Sequence, residues 1–174
     1  LEQSLSEILR RHEIFRTTFP TVAGKLVQKI HPHQPVKLTV IDLENVPKSN
    51  QEAEVERLTD EAVQHPFDIT QLPLIRWKLL KLSNQEYVLV HVEHHTVHDG
   101  WSFNLFLQEL LTLYQAFSKG KPSPLAEPSL QFADFAYWQR QWVLTEQAQA
   151  QLNYWKQKLS GIHTLLELHY DRTR

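Results

Sequence analysis

The chain has 174 residues, 41% hydrophobic and 22% charged, with a formal net charge of -2; this suits one soluble, cytoplasmic domain with a real core. The charge balance, with no basic cluster longer than Arg10-Arg11, gives no support to nucleic-acid binding, and the lack of cysteine excludes disulfides, thiolate metal ligands and a cysteine nucleophile. No apolar run approaches the roughly 18 residues of a membrane span, and no signal-peptide pattern is present.

Leu1, Leu5, Ile8 and Leu9 recur at helical spacing and predict a helix over residues 1 to 12. Ile14 to Phe19 is rich in β-formers and reads as a strand stopped by Pro20. A second strand, Lys25 to Ile30, is entered through a turn at Gly24, and a third runs from Val36 to Leu43. Residues 50 to 64 suit an amphipathic helix, with Val55, Leu58 and Ala62 inward and Glu52, Glu56 and Glu61 on a solvated face. Leu74 to Leu82 and Tyr87 to His94 read as a hairpin joined by the polar turn Ser83-Asn84-Gln85-Glu86. In its second strand Val88, Val90, Val92 and His94 share one face, and Leu89, His91 and Glu93 share the other. Phe103, Phe106, Leu107, Leu110, Tyr114 and Phe117 then form a helical stripe that stops at Gly120. A proline-bearing loop from Lys121 to Pro128 leads to helices over 130 to 142 and 144 to 159, the last closed by Gly161. Strands and helices mixed without steady βαβ alternation argue for an α+β fold. A chain that opens on Leu1 inside a helical pattern and holds no methionine reads as a piece of a longer polypeptide.

Chemistry concentrates in His94-His95-Thr96-Val97-His98-Asp99-Gly100, at the junction of the hairpin and the next helix. Imidazole can take and return a proton near neutrality, and a loop fixed between a strand and a helix suits a site. His94 falls on the valine row and reads as a core histidine. His95 falls at the strand's end on the opposite face, where it can meet a substrate. Zinc is the rival, because His91, His94, His95 and His98 offer imidazole nitrogens within eight residues. Strand geometry ranks it lower, since His91 and His94 point to opposite faces. A serine hydrolase is weaker still without a G-x-S-x-G elbow, and no phosphate-binding glycine loop is present.

The segment from His94 to Ser102 resembles the HHxxxDG signature of condensation domains from non-ribosomal peptide synthetases. Arg11-His12-Glu13-Ile14-Phe15-Arg16-Thr17-Thr18-Phe19 is similar to that family's RHExxRTxF motif, and Phe132 to Gln139 to its YxDFAxW motif. Pro66-Phe67-Asp68 followed by Pro73-Leu74-Ile75-Arg76, and Tyr154-Trp155 leading to Asp171-Arg172, resemble further recurrent segments in the same order.

The resemblance implies a lobe like that of chloramphenicol acetyltransferase, a mixed β-sheet flanked by helices, with the active site in a tunnel between this lobe and a second. It implies carrier proteins as partners, each bearing its substrate as a thioester on a phosphopantetheine arm, beside adjacent synthetase domains. The acceptor's amine attacks the donor's thioester and an amide forms; no cofactor or metal belongs to the domain itself. His95 matches the family's second histidine, credited with the chemistry either as general base or through orientation and electrostatic stabilisation. Asp99 matches a structural aspartate paired with an arginine. Arg11 and Arg16 are the candidates, since a buried carboxylate needs such a partner. Gly100 is expected to allow a backbone shape that a Cβ would obstruct, and Trp101, Tyr114 and Trp138 read as packing. The alternatives are an epimerisation domain, in which His95 would help move an α-proton, and a non-catalytic carrier-docking or scaffold lobe. Three departures stand out: the first family motif would precede residue 1, the second-lobe motifs do not appear, and Phe132 replaces the usual Tyr. The chain alone is therefore expected to be inactive, because a tunnel with one wall lacks a desolvated, preorganised interior.

Overall fold

A computed structural model describes residues 1–162, so the expected Asp171-Arg172 segment lies outside the described residues. The chain divides into two compact units, Leu1–Ala133 and Asp134–Arg174. In the first, helix α1 (Glu2–Arg11) buries Leu5 and Ile8 completely, as its apolar spacing predicts. The expected strand over 14–19 is instead a 3-10 turn, Glu13–Arg16, followed by the two-residue strand β1 (Thr17–Thr18). Local hydrogen bonds override β propensity there: the Thr17 hydroxyl donates to the Glu13 carbonyl at 2.7 Å, and Arg16 Nη2 donates to the Glu13 carboxylate at 3.1 Å.

The expected strand over 25–30 is also broken. Thr21–Val22 (β2) pairs with Lys25–Leu26 (β3), and β1 pairs with Lys29–Ile30 (β4), all antiparallel. Pro20 has no N–H to extend the ladder, and its carbonyl accepts from Val27 between the two pairs. Positive φ at both Ala23 (50°) and Gly24 (74°) closes the tip, which is where a glycine is needed.

The site rests on the next elements. Thr39–Asp42 (β5), shorter than the expected 36–43, lies parallel to Ile75–Lys81 (β6), which pairs antiparallel with Tyr87–Glu93 (β7). Helix α2 (Lys48–Gln64) covers one face: Leu58 and Ala62 pack with Leu43, Leu80 and Val90, with Val88 and Val92 at the margin. The other face meets α1 and helix α3 (Gly100–Phe117), where Leu5, Ile8, Ile75, Phe106, Leu110 and Leu113 share a core. The period-two pattern of β7 is therefore realised, with both faces covered. In α3 the buried stripe is Phe106, Glu109, Leu110 and Leu113, whereas Tyr114 is exposed.

Glu109 is the charged member of that stripe and is only 8% exposed. Its carboxylate accepts from Arg11 Nη2 at 3.2 Å and from His12 Nε2 at 2.7 Å, tying α1 to α3. Burial pushes the Glu109 carboxyl up, but the hydrogen bonds from His12 and Arg11 outweigh it and hold the group below the usual carboxylate range.

The expected pairing of Asp99 with Arg11 or Arg16 is corrected by these contacts. Arg11 is committed to Glu109, and Arg16 donates to Glu13 and to the His31 carbonyl. Asp99 is exposed at the N-cap of α3, where one carboxylate oxygen accepts from the Ser102 N–H at 2.8 Å and from the Ser102 hydroxyl at 2.7 Å. Those bonds, the backbone one foremost, lower its carboxyl pKa. The expectation for Gly100 is corrected too: it opens α3 without a positive φ, and a Cβ there would meet nothing within 4 Å.

The second unit contains most of α4 (Phe132–Trp142), which begins at the first unit's edge, and all of α5 (Glu146–Lys158), whose N-cap Thr145 accepts from the Ala148 N–H. In α4 the Trp138 and Trp142 rings stack at 6.1 Å.

Two outcomes are expected in thermal and denaturant melts. Glu109→Gln should cost ~3 kcal/mol, because it leaves a buried guanidinium without its counter-charge. Its folded pKa is depressed, so its contribution is present above the unfolded value of about 4.3 and is lost as pH falls through the folded one; the variant should flatten the acid limb of stability against pH. Asp99→Ala should lower the melting temperature by about a few degrees through loss of the cap, whereas Asp99→Asn, an equally good cap, should restore it.

Candidate active site

Beyond Glu93 the chain leaves the sheet with one last ladder bond, His94 N–H to the Leu74 carbonyl at 2.9 Å, then turns, with Val97 N–H donating to the His94 carbonyl at 3.0 Å. His94 is half-buried with its ring edge-on to Phe67 at 5.9 Å, and its Nδ1 accepts from the Thr96 N–H at 3.2 Å. The expected core histidine is therefore only partly covered: His94 leans on Phe67 and is not among the buried residues.

His95 is exposed on the turn. Its Nδ1 lies 2.7 Å from the His98 carbonyl oxygen. A carbonyl can only accept, so Nδ1 carries the ring proton, and in the neutral ring the lone pair sits on Nε2. The turn thus presents an imidazole of fixed tautomer whose free nitrogen is a base. The N-terminus of α3, capped by Asp99, follows directly.

A chain of polar side chains lies behind the turn. Trp77 Nε1–H donates to His91 Nδ1 at 2.8 Å across the β6–β7 ladder, and His91 Nε2 lies 2.9 Å from a Glu93 carboxylate oxygen. The other Glu93 oxygen is hydrogen-bonded by His98 Nδ1. The His98 ring is enclosed by Phe15, Phe103 and Phe106 with centroids at 5.8, 5.9 and 6.0 Å, and its Nε2 is buried without a partner. Among the described residues His91, Glu93 and His98 form a group whose ligand-type atoms lie within 4.8 Å of one another. The hydrogen bonds disfavour a metal there. Indole N–H is only a donor, so His91 Nδ1 must accept and the neutral ring's proton sits on Nε2, the nitrogen that a metal would need bare.

The expected site residues therefore separate. His94, His95, Asp99 and Gly100 share the turn and cap, whereas Arg11 belongs to the α1–α3 ion pair and Arg16 to the 13–31 segment. Sequence reasoning passes over Glu93 and Glu109. Each falls on an inward position of its own period, Glu93 beside His91 on β7 and Glu109 three residues after Phe106 on α3, and a charge on a buried face is a signal for a partner. A groove of about 680 Å³ runs past Leu9, Arg16, His31 and Trp77 but borders none of the residues from His94 to Gly100, so volume alone does not locate the chemistry.

Comparison with known proteins agrees with the motifs. The family model described as Condensation domain matches residues 1–174. The chain is 44% identical over 173 residues to a component of the linear gramicidin synthase of Brevibacillus parabrevis, covering 99% of this chain and 3% of that protein. It is 46% identical over 165 residues to a chondramide synthase of Chondromyces crocatus, covering 95% of this chain and 4% of that protein. The chain thus spans a small fraction of the curated relatives it matches. Among solved structures, the X-domain from teicoplanin biosynthesis superposes with a TM-score of 0.84 at 32% identity, covering 99% of this chain and 38% of that one. With its α+β lobe, its HHxxxDG turn and a family match along its whole length, the chain belongs to the condensation-domain family.

Proposed function

We propose that this chain is one lobe of a synthetase condensation domain, the part that carries the HHxxxDG turn, and that His95 serves amide formation between two carrier-bound substrates. The observation that carries this reading is the His95 tautomer: with Nδ1–H held by the His98 carbonyl, Nε2 is an exposed base. The acceptor's amine nitrogen attacks the donor's thioester carbonyl carbon. The C–N bond forms, the tetrahedral intermediate collapses with cleavage of the C–S bond, and the thiol departs. His95 Nε2 takes the proton that the attacking nitrogen must lose and returns it to the departing sulfur, or hydrogen-bonds that nitrogen and so orients it while the proton passes to the sulfur.

Partners and setting follow from this reading. The partners are carrier proteins, whose phosphopantetheine arms bring both substrates, and neighbouring synthetase domains. The domain itself holds no cofactor, and the setting is cytoplasmic, with neither nucleic acid nor membrane as a partner. Among the described residues no helix is long and apolar enough to cross a membrane. The 174-residue chain is inactive by itself on this reading, because a histidine exposed on the turn does not have the enclosed, preorganised surroundings that make it effective.

In the synthetase that contains this lobe, His95→Ala should lower amide-product release by about 100-fold or more while leaving the melting curve in place. Product release near the unsubstituted rate would refute the role of His95. The isolated 174-residue chain, offered both loaded carriers, should give no product above the uncatalysed rate.

A further inference from the structure

We infer that the bond between Glu93 and His98 positions His95: the Glu93 carboxylate holds the His98 ring, and the His98 carbonyl in turn holds the His95 tautomer. The inference deepens the reading of His95 given above and rests on it. His98 has two attachments that point in opposite directions. Its side chain reaches inward, with Nδ1 on Glu93, and its backbone carbonyl reaches outward to His95 Nδ1 at 2.7 Å. Glu93 is itself anchored from the sheet, since its second oxygen meets His91 Nε2 at 2.9 Å and His91 is held by the Trp77 indole at 2.8 Å. A continuous run of hydrogen bonds therefore leads from β6 through β7 and the turn to the exposed imidazole.

Packing alone does not account for a histidine at position 98. The residue is 5% exposed among phenylalanine rings, and its Nε2 is buried without a partner. An unpartnered buried nitrogen is a cost that a leucine in the same place would not incur. What histidine supplies and leucine lacks is the Nδ1 donor to Glu93. Without that bond the 94–99 turn keeps its backbone bonds, the Asp99 cap and apolar packing at His94, Val97 and position 98, but no side-chain hydrogen bond from position 98 to set where its carbonyl points. His95 would then be free to exchange its proton between the two ring nitrogens, and misplacement of a catalytic group is costly in rate.

His98→Asn and His98→Leu separate positioning from packing. The Asn side-chain N–H₂ can occupy the place of Nδ1 and keep the donor, at the expense of apolar contact; Leu fills the phenylalanine pocket and removes the donor. The ring-nitrogen proton of His95 is read by two-bond ¹H–¹⁵N correlation in the 174-residue chain. Turnover is measured in the synthetase that contains the chain. The expected result is that His98→Asn retains the Nδ1–H form of His95 and a kcat within about threefold of the unsubstituted enzyme. His98→Leu should lose that form and fall in kcat by roughly 10- to 100-fold, with little change in KM for the loaded carriers, even though it melts no lower than the Asn variant. The reverse order of the two variants, or equal retention by both, would overturn the inference. So would a Leu variant that fails to fold, since the bond would then serve stability rather than placement. Normal turnover in His95→Ala would instead remove the catalytic reading and leave the tautomer comparison to judge the positioning by itself.

Discussion

The covering of β7 on both faces is the constraint on which the site depends. Val90 faces α2, while Leu89, His91 and Glu93 face the core shared by α1 and α3. A carboxylate and an imidazole placed on such a face have little water to turn to, and an unpaired polar group there costs more than an ordinary hydrogen bond returns. The fold satisfies them internally, through Trp77 on one side and His98 on the other. Because His98 belongs to the turn rather than to the sheet, satisfying Glu93 also anchors the turn. The exposed His95 therefore stands on a short loop with an interior fastening.

A second charged joint sets where α3 lies. Arg11 and His12 at the end of α1 meet Glu109 in the middle of α3, and the guanidinium is only 4% exposed. Gln131 fastens the end of α1 itself, its side chain donating to the Arg11 carbonyl at 2.8 Å and accepting from the Glu13 N–H at 3.0 Å. The arginine motif and the HHxxxDG turn thus share no ion pair and do separate work. The arginine-histidine pair clamps two helices from inside, and the aspartate of the turn caps a helix from outside. Both roles obey the same electrostatics: a buried cation requires an anion beside it, and an exposed aspartate gains most from the unsatisfied N–H groups at a helix N-terminus.

Much of this is legible in the residues. The helix over 1–12, the helix over 50–64, the hairpin and the long helix before Gly120 lie within a few positions of where periodicity puts them. Each is long enough for its apolar repeat to be read. The segment from Ile14 to Ile30 escapes such a reading because its structure is decided by single contacts: a hydroxyl on a carbonyl, an N–H that Pro20 lacks, a turn of two positive-φ residues. The shift of the α3 stripe towards Leu113 and away from Tyr114 has a similar origin, since apolar residues on more than one side of that helix leave the buried face open until a neighbour covers it.

The site divides along the same line. The sequence by itself determined the family motif, the opposite faces of β7 and the exposure of His95 at the strand's end, because all of these follow from local spacing. Which carboxylate meets Arg11, whether Asp99 is buried or caps a helix, and what holds His98 were decided only by tertiary structure. Those pairings join residues as far apart as Arg11 and Glu109, and a charge finds its partner through the burial that forces it to have one, which no local pattern records.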